Sequence, residues 1–482
     1  MPKTNPRARA VVVAASLLAA VTLACGSTIT DLSLTPPALL PTRSGPQPSQ
    51  PASAPSPPSD DHAEAPDLIF HNGQVITMET DTPIAQAVAI RGDRILAVGS
   101  DQEILPLASH DTQRIDLAGH SLMPGFVDPH THILNDADIH LNLTLDEAQQ
   151  LAIENGITTI ADMFVTPDFL DQMRDLEREG RLRIRTSLYL NYTDNCGNRM
   201  GDWYQQHPPT REFGEMLRIG GIKIFADGGS CGEAAVSQVI EPGTGLGDLW
   251  LSQAEMTAAV GEAQTAGYQV AIHAIGDRAI EVAQNAIEAA LNGGPNTLRH
   301  RIEHNWLLRD DLLPRYGEIG ILPVNFGHLF TCSLSGLNRT SFWQDHIWRW
   351  REMIDANPGL IIAWKSDYPW FGPPSPILHL YTLVTAQEVA QDGSVCYPPA
   401  WLASRTITVE EALPMMTIHA AYAIFREDEV GSLATGKLAD LIILSDNPLT
   451  VESDDIKDIQ VWVTMIGGQT EYCAPGHAAL CP

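Results

Sequence analysis

The spacing of apolar positions changes character along the chain. From Asp67 onward, short runs of strand type (Leu68-Ile69-Phe70, Gln74-Val75-Ile76-Thr77, Ala87-Val88-Ala89-Ile90 and Arg94-Ile95-Leu96-Ala97-Val98) are separated by Asn72-Gly73 and Arg91-Gly92-Asp93, which is hairpin spacing. A similar pattern returns near the other end at 436–444 and 459–466, closing on Gly467-Gly468. Two β-rich pieces flanking a long middle predict one small sheet domain assembled from both ends, over 67–122 and 427–470, with a tail at 471–482.

The middle, 123–426, alternates apolar runs with helical periodicity. Strands are predicted at 125–128, 158–163, 184–190, 222–226, 269–273, 301–304, 321–325 and 360–366. Between them Ala279, Val282, Ala283, Ala286, Ile287 and Ala290 follow the i, i+3, i+4, i+7 rule of a helix facing a core. Ser252 with Glu255 and Thr408 with Glu411 fit capping boxes. Eight strand–helix units predict an α/β fold, a (β/α)8 TIM barrel carrying a small composite β-sandwich; a doubly wound sheet is the alternative.

Before Asp67 nothing reads as a core. Lys3, Arg7 and Arg9 precede an uncharged run from Ala10 to Ala24, a signal peptide over 1–24. The stretch VTLACGS resembles a lipoprotein box with Cys25 as the lipid attachment site, although Thr22 stands where an aliphatic residue is usual. Plain secretion and an uncleaved anchor helix are the other readings. Over 25–66, ten prolines from Pro36 to Pro66 alternate with small and polar residues. Such a stretch buries nothing and reads as a tether, whose contour at about 3.1 Å per residue exceeds roughly 100 Å.

Charge narrows the partners. The 482 residues carry 59 Asp plus Glu against 29 Lys plus Arg, a net charge of −30, so the chain repels phosphate backbones and anionic membrane surfaces. Nucleic acid is excluded as a partner, a membrane is reached only through a lipid on Cys25, and a homo-oligomer stays open. The expected location is the bacterial cell surface or periplasm, otherwise the medium. Beyond Cys25, six cysteines remain, which export would allow to form up to three disulfides among 15 possible pairings. Cys473 with Cys481, closing the tail, is the locally suggestive pair, and buried free thiols are the alternative.

The chemistry sits at the predicted strand ends. His130 and His132, in PGFVDPHTHI, follow the first strand, and an i, i+2 pair on extended chain points both imidazoles the same way, able to grip one metal. Lys223 lies on the fourth strand; His273, His304 and Asp367 end the fifth, sixth and eighth. All converge on the C-terminal mouth, where this fold keeps its catalytic residues. Singly, each has a plainer reading: a satisfied core histidine, a lysine paired with Asp227, an aspartate forming a turn. Four strand ends presenting metal-type side chains at one mouth favour the joint reading.

From about Asp67 to Gln469 the chain resembles the amidohydrolase superfamily, specifically its amidohydrolase 3 group of N-substituted formamide deformylase-like proteins. The motifs that carry the likeness are MPGFVDPHTH, GIKIFADGG, VAIHAIGDRAIE, RIEHN, the SDYP segment and VGSLATGKLADLIIL. The resemblance implies a divalent metal centre, zinc by preference, of one or two ions. His130, His132, His273 and His304 would be imidazole ligands and Asp367 both ligand and general base. Lys223 would be a ligand if carboxylated, since a carbamate supplies anionic oxygens where an ammonium cannot bind a cation. The implied reaction is hydrolysis of a non-peptide carbon–nitrogen bond in a small amide, formamide or cyclic amide by a metal-activated hydroxide. A deaminase of an aminated heterocycle and a non-catalytic surface binding lipoprotein are the alternatives.

Two departures bear on the pocket. Lys365 precedes Ser366-Asp367 where the family commonly has Gly, and Pro323-Val324-Asn325 replaces a common Gln-Pro pair. Only about 25 residues separate His132 from the next strand, so a long insertion common in relatives is missing and the lid must differ. Softer candidates are His328, as a group orienting a substrate carbonyl, and Trp343, Trp348, Trp350, Trp364, Trp370 and Phe371, as an aromatic wall. Asp227, Cys231 and Glu233 are expected to shape the loop after the fourth strand.

Overall fold

A computed structural model of the chain describes residues 65–334 and 339–482. The signal segment, Cys25 and nearly all of the tether lie outside the described residues.

Eight parallel strands form one sheet in chain order: β1 (Phe126–Thr131), β2 (Ile157–Val165), β3 (Arg185–Asn191), β4 (Leu217–Phe225), β5 (Gln269–Ala274), β6 (Arg301–His304), β7 (Leu322–Phe326) and β8 (Ala363–Lys365). Each strand pairs with the next in parallel register. Almost every residue of these strands is buried, as expected where helices cover the outer face and side chains fill the inside. The helix Asp277–Leu291 turns Ala279, Ile280, Ala283, Ala286 and Ile287 inward. The capping boxes at Ser252 and Thr408 open the helices Gln253–Ala266 and Val409–Met416.

The seam between β1 and β8 is closed by cross-links. Trp364 Nε1 donates to the Val127 carbonyl at 2.8 Å, Ser366 Oγ donates to the Asp128 carboxylate, and the Asp367 amide donates to the His130 carbonyl at 3.1 Å. The closed barrel displaces the doubly wound alternative.

Most strand limits shift by one to three residues from expectation, and two differences have local causes. β4 starts at Leu217, because Gly220 and Gly221 lie inside it without ending it. A Cβ on Gly220 would stand 2.7 Å from the Tyr189 ring, and one on Gly221 would stand 2.4 Å from the Gln269 carbonyl oxygen, so close neighbours require glycine there. β8 keeps only three residues: residues 360–362 precede it without strand pairing, and Asp367 leaves the extended conformation beyond it with φ 60°.

The small domain holds a four-stranded sheet ordered Arg94–Gly99, Ala87–Arg91, Leu68–His71, Gln113–Asp116. Its six-stranded sheet is ordered Gln469–Cys473, Val461–Ile466, Leu441–Leu444, Ser121–Pro124, Gln74–Ile76, Ile84–Ala85. Leu441 pairs with Pro124 and Leu444 with Ser121, so the two ends of the domain share one ladder. The tail drawn at 471 is corrected: the last strand runs through Cys473, and Leu480 is buried in the sandwich core beside Phe70 and Val463. A buried bidentate pair, Arg185 to Asp440 at 2.7 and 3.0 Å, ties the sandwich to β3.

Three disulfides are present: Cys196–Cys231, Cys332–Cys396 and Cys473–Cys481. The free-thiol alternative is set aside.

Candidate metal centre

The residues singled out at the strand ends meet at one mouth. His130 from β1, His132 just after it, Lys223 from β4, His273 from β5, His304 from β6 and Asp367 after β8 line one cavity of about 190 Å³, together with Phe164, Phe225, Ile275, Trp370 and Phe371 on its apolar walls and Asp136, Asn195 and Ser230 among its polar groups.

Backbone geometry explains why alternation along the strands does not bury these groups elsewhere. Arg301 and Glu303 share the inward face of β6, which would send His304 outward, but φ 77° at His304 turns it back to the axis. Asp367, two residues beyond the inward-pointing Lys365, also lies in the left-handed region, with φ 60°. Non-glycine residues in the left-handed region store strain, here at two of the converging side chains.

Hydrogen bonds on the far side of three of the four rings fix which nitrogen faces the cavity. His130 donates Nδ1–H to Glu303 Oε2 at 2.6 Å, and His132 donates Nδ1–H to Asn135 Oδ1 at 3.2 Å. Their Nε2 atoms therefore present lone pairs, at 3.0 and 3.4 Å from the same Asp367 Oδ1. His273 donates Nε2–H to the Gly228 carbonyl at 3.0 Å, which leaves Nδ1 as its lone-pair atom. His304 stacks edge-on to His273 and His130, with ring centroids 4.2 and 5.0 Å away. Neither nitrogen of His304 makes a hydrogen bond, nor do His130 Nε2 and Lys223 Nζ.

Protonation states suit cation binding. Burial pushes His130 and His273 down to about 3 and His304 well below its ordinary value, so all three are neutral at neutral pH. Burial alone would raise Asp367, but the Lys365 charge, with His130 and His304, outweighs it and holds the carboxyl well below the usual range. Burial lowers Lys223 to about 7, which keeps a share of its nitrogen as the free amine that carboxylation needs.

Orphaned buried nitrogens around one carboxylate fit a divalent ion, and His130, His304 and Asp367 place ligand atoms within 4.8 Å of one another.

Sequence reading passed over Glu303 here, and marked Lys365 only as a departure in the pocket wall. Glu303 is buried and takes a forked pair from Arg301, at 2.5 and 2.8 Å, while binding His130. Burial would raise it, yet Arg301 and His130 hold it well below a normal glutamate. Its place beside His304 in RIEHN was the available signal. Lys365 Nζ lies 3.0 Å from Asp367 Oδ2, wholly buried.

The softer candidates divide. Trp370 and Phe371 reach the cavity, and Trp370 Nε1 donates to Asp136 Oδ2 at 2.7 Å across the mouth. Trp343, Trp348, Trp350 and Trp364 are core; Trp348 and Trp350 both donate to the Phe326 carbonyl, at 3.2 and 2.9 Å. His328 is away from the centre, 3.0 Å from Glu388. Asp227 is a loop clamp that accepts the amides of Ala235, Ile275 and Gly276 at 2.8 to 3.0 Å, which leaves Lys223 without the pairing once considered for it. Glu233 accepts the Gly245 amide at 3.0 Å, and the Cys196–Cys231 bridge joins the rim loops carrying Asn195 and Ser230.

Comparison with known proteins agrees with this architecture. The amidohydrolase family model matches residues 141–472. The protein LONG AFTER FAR-RED 3 of Arabidopsis thaliana is 28% identical over 344 residues, 68% of this chain and 57% of that protein. The N-substituted formamide deformylase of Arthrobacter pascens is 29% identical over 330 residues, 66% of this chain and 57% of that one. The chain thus spans little more than half the length of these relatives. A metal-dependent hydrolase of uncharacterized function from Pyrococcus furiosus has the same fold, with a TM-score of 0.65 at 22% identity, covering 80% of this chain and all of its own.

Proposed function

This chain belongs to the amidohydrolase family, and on that premise we propose that it is a metal-dependent hydrolase of a carbon–nitrogen bond, other than a peptide bond, in a small and largely apolar amide, formamide or cyclic amide. The observation that carries the reading is the pair of Nε2 lone pairs, from His130 and His132, aimed at one oxygen of Asp367 inside a cavity that also receives His273 and His304.

His130, His132, His273, His304 and Asp367 would hold the ion, zinc by preference, with Lys223 joining them if carboxylated. Once bound, a divalent ion lowers the pKa of water toward about 7 and polarises a carbonyl. Asp367 is the proton carrier: its carboxylate takes the proton of the attacking water and returns it to the leaving nitrogen. Phe164, Phe225, Ile275 and Phe371 exclude water and accept the apolar substituent. Among the described residues the wall carries no arginine to pair a substrate carboxylate, which favours neutral amides over peptide-like acids.

The N-terminal segment, with a lipid on Cys25, would place the enzyme outside the cytoplasm, and three disulfides fit that oxidising setting.

The test is a panel of N-substituted formamides, simple amides and cyclic amides, assayed for new amine and carboxylate with and without zinc. Metal-dependent product from one class supports the proposal. Ammonia from an aminated heterocycle, with none from the amides, would replace it by deamination, and no turnover of either would remove it.

A further inference from the structure

Asp367 has two differently occupied sides. Oδ1 faces His130 Nε2 and His132 Nε2, at 3.0 and 3.4 Å, whereas Oδ2 faces Lys365 Nζ at 3.0 Å and His304 Nδ1 at 3.6 Å. The first side offers lone pairs and an anion to a cation. The second already has a cation.

Lys365 is held there by little else. It ends β8, is fully buried, and shares its inward direction with Asp367 two residues on. Nζ lies 3.8 Å from the centre of the Phe326 ring, whose face favours positive charge, and it makes no well-aligned hydrogen bond. A surface lysine would release its ammonium to water, but here the whole side chain is enclosed and the charge ends on the carboxylate at the centre of the site.

A two-ion hydrolase centre keeps its cations about 3.5–4 Å apart and shares anionic oxygens between them. An ammonium 3.0 Å from one of the two oxygens of Asp367 stands where such a second charge is needed. We propose that Lys365 substitutes for a second divalent ion, so that the centre binds one ion per chain, on the Oδ1 side with His130 and His132. This rests on the metal-dependent function proposed above and adds to it the stoichiometry and its cause. Lys365 is in these terms a positioning residue: it holds Oδ2 of Asp367, leaving Oδ1 for the ion, and Lys223 has no pair of ions to bridge.

The experiment counts zinc. Full-length wild-type protein and Lys365→Met are equilibrated with excess zinc and bicarbonate, desalted, and measured for zinc per chain by elemental mass spectrometry. One zinc in the wild type, rising toward two in Lys365→Met, is the expected result. Two in the wild type, or one in a folded Lys365→Met, overturns the inference while leaving the hydrolase intact. If Lys365→Met does not fold, the wild-type count decides, one ion upholding the substitution and two overturning it. No zinc in the wild type overturns the metal-dependent function itself, and this inference with it.

Discussion

Glu303 and His130 are joined by a 2.6 Å hydrogen bond with both side chains wholly buried, and Arg301 grips the same carboxylate from behind while donating to the Pro129 carbonyl at 2.8 Å. A carboxylate behind a ligating histidine fixes its tautomer and raises its basicity. Glu303→Gln keeps the shape and removes the charge. Zinc affinity, measured by competition with a chromogenic chelator, should fall by about 10- to 100-fold. An unchanged affinity would leave Glu303 a purely structural partner of Arg301.

Asp367→Asn should separate folding from chemistry. The amide retains the size of the side chain but can neither take a proton nor bind a cation strongly, so kcat on the best substrate should drop by roughly 100- to 10,000-fold. Circular dichroism should stay that of the wild type. Retention of most activity would transfer the proton-carrying role to another group.

Removal of the metal should show in stability as well as turnover. An ion bound only by the folded chain adds about 4 kcal/mol when its concentration is 1,000 times its Kd. Dialysis against a chelator should therefore lower Tm and abolish activity together, and zinc should restore both.

His300 makes stability depend on pH away from the centre. Its neutral ring donates Nε2–H to Gln264 Oε1 at 2.7 Å and accepts the Val270 amide on Nδ1 at 3.1 Å, and burial pushes its pKa down to about 4. The unfolded ring, with a pKa of about 6.5, takes up a proton first as pH falls, so this contribution is complete above about pH 6.5 and is lost between there and pH 4. Linkage gives a loss of roughly 2 kcal/mol at pH 5. Urea midpoints at pH 7.5 and pH 5 should differ more in the wild type than in His300→Gln, and equal differences would refute the assignment.

The Cys196–Cys231 bridge spans 35 residues and ties two loops of the rim. The double Cys→Ser variant should lose about 2–4 kcal/mol of stability, read as a lower Tm. Since Asn195 and Ser230 adjoin the bridge in the cavity wall, KM should rise with zinc content unchanged.

Much of the barrel was legible in the sequence because buried parallel strands are written as local apolar runs; the prediction for β6 matches the structure residue for residue. The converging histidines were legible because each sits at the end of such a run. What stayed hidden depends on contacts between distant segments. Nothing local announces that Tyr189 presses on Gly220, that Glu303 reaches back to β1, or that Lys365 points at Asp367 rather than at solvent. Turning His304 inward takes a left-handed residue, which alternation does not foresee. Cysteine pairing is of the same kind, since Cys332 and Cys396 are neighbours only through the fold.

The seam of the barrel gives the centre a place in the history of the folding chain. His130 and His132 leave the ribosome with the first barrel strand and Asp367 just after the last, so the candidate ligands are brought together only when the ring closes. Asp128, Ser366 and the Asp367 amide make that closure within two residues of the candidate ligands on either side. A metal ion held there would act as a clasp across the youngest joint of the barrel, and an apoprotein would open first along β1 and β8, a pattern that hydrogen exchange resolved strand by strand would display.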